Sequence, residues 1–194
     1  MNNLKFLFVL LSFTGIIFFG CSDKSNSPVE PIADEVTLEK CPVIIHYTET
    51  HYPVEILDPG TVNVVGNKII IKKVIIKERL EASTDLVTGF MIHKLSAVMD
   101  LTTGEGPCWG TFTAKPDIFT GGPEEWEGTY AGWRSKKPGS DTLFTLPLLV
   151  LGKGKAGQLR GVKMFLNDVI TAWGTPPVGW YGGGEGYLKK TGHH

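Results

Sequence analysis

Few residues in this chain are of a type and spacing to do chemistry. His46 and His51 stand five apart in the segment HYTETH. A metal-binding helix places two histidines four apart on one face. In a strand, positions five apart have opposite parity and point away from each other. The pair makes no metal site, and no metal or other cofactor is expected. His93 lies in FMIHKLSAVMDL on an alternating apolar face with Met91, Leu95, Ala97, Met99 and Leu101. A lone histidine there is either a hydrogen-bonded core residue or a base facing a cavity. Cys108 has no histidine in a recognisable relation to it, so no thiol nucleophile is expected. Glu124, Glu125, Glu127 and Glu185 can supply the paired carboxylates of a glycosidase, but glutamates beside loops are ordinarily solvated. No catalytic residue is assigned.

Two further patterns invite a ligand. The segment Gly152-Lys153-Gly154-Lys155-Ala156-Gly157 satisfies G-x-G-x-x-G. The residues after it do not start a helix, and no βαβ unit surrounds it, so it reads as a hairpin turn rather than a dinucleotide loop. Trp109, Trp126, Trp133, Trp173, Trp180 and Tyr181 can stack on sugars or lipids, or pack a core. The formal net charge of −1 supplies no basic surplus for nucleic acid.

The start of the chain addresses it. Lys5 gives a basic beginning, Phe6 to Phe19 is almost wholly apolar, and Gly20 precedes Cys21. A basic start, a short apolar run and a small residue before the cut define a secretory signal. The run is shorter than the ~20 residues of a membrane span. Phe18-Phe19-Gly20-Cys21 resembles the lipobox of bacterial lipoproteins, with Phe18 departing from the usual leucine or smaller aliphatic residue. The resemblance implies a signal peptide over 1–20, lipid on the Cys21 thiol, and a protein held at a membrane of the bacterial cell envelope. Residues 21–40 are rich in serine, proline and acids and read as a flexible tether. With Cys21 lipidated, Cys41 and Cys108 remain, available for a disulfide in an oxidising compartment or standing as two buried thiols.

Residues 41–190 carry the elements that must position any site. Short runs of β-branched and aromatic residues alternate with turns such as Asp58-Pro59-Gly60 and Gly66-Asn67. Strands are expected at Cys41–Tyr47, Val54–Leu57, Thr61–Val65, Lys68–Glu81, Phe90–Leu101, Cys108–Ala114, Trp126–Arg134, Leu143–Leu151, Leu159–Leu166, Val169–Trp173 and Trp180–Leu188. Within Lys68–Glu81 the parity slips between Ile69/Ile71 and Val74/Ile76, and a bulge near Lys72-Lys73 restores both pairs to one side. Pro147 implies a bend or bulge, and Asn167-Asp168 a strand end. Gly110, Gly128 and Gly132 sit inside strands, as a sharply curved sheet or a close packing partner requires. The fold class is all-β, and short strands at close spacing with glycine turns mean a sandwich or a barrel.

Three glycine motifs occur in order: Gly104-x-Gly106-x-x-Trp109-Gly110-Thr111, then Trp126-Glu127-Gly128-Thr129-x-x-Gly132, then Gly152-x-Gly154-x-x-Gly157-x-Leu159-x-Gly161. Over Met91 to Leu188 the chain resembles the allene oxide cyclase-like barrel superfamily, in particular its bacterial members of unassigned function. The resemblance implies an all-β fold, a small antiparallel calycin-like barrel of about eight strands. Plant enzymes of that superfamily isomerise a fatty-acid epoxide inside the barrel, but their catalytic residues match no position here.

Three functions follow as expectations. The first is a barrel that binds a small apolar ligand in a pocket formed by Met91, His93, Leu95, Trp109 and Trp126. The second is a carbohydrate- or protein-binding module using exposed tryptophans. The third is an isomerase-type enzyme on a lipid-like substrate, which needs a buried acid or histidine at the cavity wall.

Overall fold

The structure, a computed structural model, describes residues 42–174 and 177–190. The expected signal peptide and tether lie outside them, with Cys21 and Cys41. Nine strands follow in order: β1 (Val43–Asp58), β2 (Thr61–Val65), β3 (Lys68–Ala82), β4 (Gly89–Asp100), β5 (Gly106–Pro116), β6 (Trp126–Lys136), β7 (Leu143–Gly154), β8 (Val162–Trp173) and β9 (Gly179–Lys190). Among the described residues the only helical pieces are single 3-10 turns at Asp117–Phe119 and Gly157–Leu159.

From β3 to β9 each strand pairs antiparallel with the next, and β1 closes the ring by pairing with both β9 and β3. β2 takes over along β3 where β1 ends, so the two make one path beside β3, broken at Asp58–Gly60. Eight strands thus form a closed antiparallel barrel. Closure removes the unpaired edges that a flat sheet would expose.

Side-chain alternation sorts the barrel into an inside and an outside. Tyr47, Glu49 and His51 of β1 point inward, and so do His93, Ala97 and Met99 of β4, Phe112 and Ala114 of β5, and Leu146, Leu148 and Val150 of β7. The β3 parity slip is resolved as expected. The β3–β4 register shifts between Ile71 and Val74, with Lys73 at φ 59° taking up the extra residue. Ile69, Ile71 and Ile76 are all buried as a result.

Several expectations are corrected. The segments Cys41–Tyr47 and Val54–Leu57 belong to a single strand, because the residues between them, including Glu49 and His51, continue the inward alternation as polar groups. Asn167-Asp168 ends no strand: β8 runs through to Trp173, with Asp168 facing inward. Pro147 causes no bulge. It lies exposed on the outer face, and although the β6–β7 pairing lapses between Gly132↔Leu148 and Ser135↔Thr145, the register is the same on either side. Leu101 falls past the end of β4 and is exposed.

Candidate functional site

The barrel encloses a cavity of about 290 Å³. At one end stands Trp126, fully buried, its Nε1 donating to the Leu86 carbonyl at 2.8 Å. At the other end Ile56, Val62, Pro177 and Trp180 line the cavity, and Ile56 and Val62 are exposed, which makes this the mouth. The cause lies in the strand pairing. The β1–β9 ladder stops at His51↔Gly182, and beyond it β1 follows β3 alone. The seam between β1 and β9 therefore parts just above His51.

Met91, His93, Leu95 and Trp126 all line this cavity. Trp109 does not: it has the opposite parity from Cys108 and lies half exposed on the outer face, above a shallow depression with Lys94, Leu149 and Leu151. Trp133 is likewise exposed. Cys108 is a buried free thiol, and the other half of the expected disulfide, Cys41, lies outside the described residues. Burial pushes the Cys108 thiol up to about 12, with Arg134 pulling weakly the other way.

A belt of polar side chains crosses the apolar interior. Glu49, His51, Glu78, His93 and Asp168 are all buried. His51 is held from both sides: Nδ1 lies 3.0 Å from Glu78 Oε2 and Nε2 lies 3.1 Å from Asp168 Oδ2. Glu78 is the hub. Its Oε1 accepts from Trp180 Nε1 at 2.5 Å and stands 3.4 Å from His93 Nε2, at ion-pair range. His93 Nδ1 in turn meets the Tyr130 hydroxyl at 2.9 Å.

The charges follow from this geometry. Burial works against a charged His51, but the hydrogen bonds to Asp168 and Glu78 outweigh it and hold the imidazole well above its ordinary pKa. Burial also opposes ionisation of Glu78, and its bonds to His51 and His93 outweigh that, keeping the carboxyl well below the usual range. Glu49 is the contrast. Burial pushes it up to about 7, His51 pulls it down, and Asp168 and Glu78 repel its charge. Neither Glu49 oxygen has a hydrogen-bond partner, and Asp168 Oδ1 has none either. A buried polar group left unpaired costs about 1–3 kcal/mol, and more when charged.

Glycines make room for these rings. His51 and Gly182 are paired across β1 and β9, and a Cβ on Gly182 would land on His51 Nε2. A Cβ on Gly110 would meet the Tyr130 hydroxyl. The strand-interior glycines therefore mark large inward side chains on neighbouring strands, as well as curvature.

His46 is exposed on the outer face while His51 lies inside, as their parity implies. The partners of His51 come from distant strands instead: Glu78 on β3 and Asp168 on β8. Glu49, Glu78 and Asp168 carry no sequence signal apart from acidic residues at positions that continue an inward alternation. No protein-family model, curated protein or solved structure matches this chain.

Proposed function

We propose that this chain is an exported lipoprotein whose barrel binds a small apolar molecule. The cavity carries the reading. Its walls are chiefly apolar, with Leu148, Val150, Ile76 and Met164 among them, and it is closed at Trp126 and open past Ile56 and Val62. Its volume is at the low end of the range for small-molecule sites, about 300–1,000 Å³. Moving apolar ligand surface out of water contributes about 25 cal/mol per Å². A pocket preformed by a closed barrel loses little of that to ordering. The belt at mid-barrel sets one polar boundary to an otherwise apolar chamber.

Export and anchoring are supported by the apolar run before Gly20 and by Cys21, whose lipid would hold the barrel at a bacterial envelope membrane. The glycine motifs and the eight-strand closure together support kinship with the allene oxide cyclase-like barrels. The absence of a basic surplus supports a role apart from nucleic acid.

The test uses an uncharged fluorophore, N-phenyl-1-naphthylamine, titrated into the full chain, beside native mass spectrometry of protein purified from its own host. Saturable binding of one probe per chain is expected. Ala97 is buried and lines the cavity, so Ala97→Phe should weaken binding at least tenfold, about 1.4 kcal/mol. Equal binding by Ala97→Phe, or a wild type that neither takes the probe nor carries a host molecule, overturns the reading.

A further inference from the structure

We infer that Glu49, His51 and Asp168 form a binding site for one divalent first-row transition-metal ion, with Glu78 orienting His51 from behind. This does not depend on what occupies the apolar chamber.

The strand register brings the three together. Glu49 pairs with Gly184, and Gly184 pairs with Asp168, so two acids flank a residue with no side chain. His51 lies one inward position along β1, opposite another glycine, Gly182. One ligating atom from each of the three side chains falls within 4.8 Å of the others. His51 Nε2 and Asp168 Oδ2 are 3.1 Å apart. Two ligands of a tetrahedral ion with bonds of ~2.0 Å lie about 3.3 Å apart, so this edge is already near its bound length.

The unpaired atoms point to an occupant. Both Glu49 oxygens and Asp168 Oδ1 are shut away from solvent without a donor. Each is an acceptor, and what such a gap lacks is positive charge. The site is deeply buried, each of the three residues being 4 % exposed. A small cation satisfies several such oxygens at once.

The support of His51 fits the same purpose. Metal-binding histidines commonly donate their second ring N–H to a carboxylate, which fixes the ring and the tautomer. Glu78 Oε2 does this at His51 Nδ1, leaving Nε2 aimed at Asp168. On binding, the ion takes the place of the Nε2 proton, which leaves to solvent. One imidazole with two carboxylates suits zinc, iron, cobalt or manganese. Calcium would ask for six to eight oxygens.

The test starts from the full chain freed of metal by a chelator. Zn²⁺ is titrated against a chromophoric competitor, and Co²⁺ is added separately for its visible absorption. One Zn²⁺ per chain is expected with Kd about 1 µM or tighter, and Co²⁺ should give the strong bands of a four-coordinate site. Glu49→Gln/Asp168→Asn keeps the side-chain shapes and should weaken binding at least 100-fold. His46→Ala, and a variant with His193→Ala and His194→Ala, should leave it unchanged. Amide NMR of the wild type gives a readout independent of any variant: Zn²⁺ should shift His51 and Gly182 to Gly184. A wild type that retains no zinc overturns the proposal. So does undiminished affinity in a folded Glu49→Gln/Asp168→Asn protein, or shifts confined to His46 and the C-terminal histidines.

Discussion

Glu78 Oε2 lies 3.0 Å from His51 Nδ1, with both side chains almost wholly buried inside a barrel lined chiefly by aliphatic and aromatic groups. An ion pair is a costly thing to put there. Desolvating two charges takes several kcal/mol each, and their attraction offsets this only when the remaining hydrogen-bonding positions are also filled. At Glu78 they are filled, by His51, Trp180 and the nearby His93. At Glu49, one pleat along from His51, they are not. The belt thus has a satisfied half that holds the rings and an unsatisfied half that faces Asp168.

Removing the hub should show how much rests on it. Glu78→Ala leaves the His51 ring with Asp168 as its one remaining carboxylate bond and leaves Trp180 Nε1 without its acceptor. Breaking a buried pair from one side costs about 3–5 kcal/mol. Urea unfolding of wild type and variant measures the difference, and a loss below about 1 kcal/mol would show that the pair contributes little.

A lighter change tests the room left for the imidazole. In Gly182→Ala the new methyl group falls on His51 Nε2, so the ring must turn or the β1–β9 seam must widen. Overpacking of this kind costs about 1–3 kcal/mol. The His51 ring ¹⁵N shifts should move with the stability, because the displaced nitrogen is the one bonded to Asp168. Unchanged shifts in the alanine variant would contradict the close approach of Gly182 to the His51 ring.

The all-β fold was legible in the sequence because strand alternation and turn residues are local signals, whereas closure into eight strands rested on the resemblance of the glycine motifs. Ile69, Ile71, Val74 and Ile76 announced a bulged strand, and Gly110 and Gly128 announced either curvature or a close partner. The belt was hidden for a physical reason. Reading strands from apolar alternation treats a polar residue at an inward position as a break. Glu49 and His51 therefore lie between two expected strands, and Asp168 at an expected strand end, though β1 and β8 run straight through them. Their partnership spans 117 positions between His51 and Asp168, which no local pattern carries. Trp109, expected in the pocket, has the parity of the outer face and lies half exposed there.

The β3 bulge gives a prediction away from the cavity. Lys73 holds φ 59°, in the left-handed region where a Cβ is unfavourable by roughly 1–2 kcal/mol. Its amide donates to Ser96 Oγ at 3.3 Å, and glycine keeps that amide. Lys73→Gly should therefore stabilise the protein by up to about 1 kcal/mol, after the added entropy of an unfolded glycine is subtracted. Thermal unfolding would register this as a rise of a few degrees. A fall of similar size would mean that the residue does not hold this conformation.

The last prediction concerns alkaline pH, where the sign can be worked out from Cys108. Its thiol sits at about 12 in the folded barrel against an ordinary value near 9, because burial disfavours the thiolate. Below pH 9 the thiol is neutral in both states, and it contributes no pH dependence. Between 9 and 12 the unfolded chain releases the proton and the folded chain keeps it. Stability then falls as pH rises, by up to about 1.4 kcal/mol per pH unit for this one group. Tyr47 and Tyr130 are raised for the same first reason, burial, and add to the fall at higher pH. Urea midpoints measured from pH 8 to 11 should therefore decline above 9, and Cys108→Ala should decline less steeply after its constant packing loss is removed. The same burial should make Cys108 slow to react with a thiol reagent at pH 8 until the barrel is unfolded. Rapid labelling of Cys108 in the native state, or equal slopes for the two proteins, would show that this side chain is not held as the barrel places it.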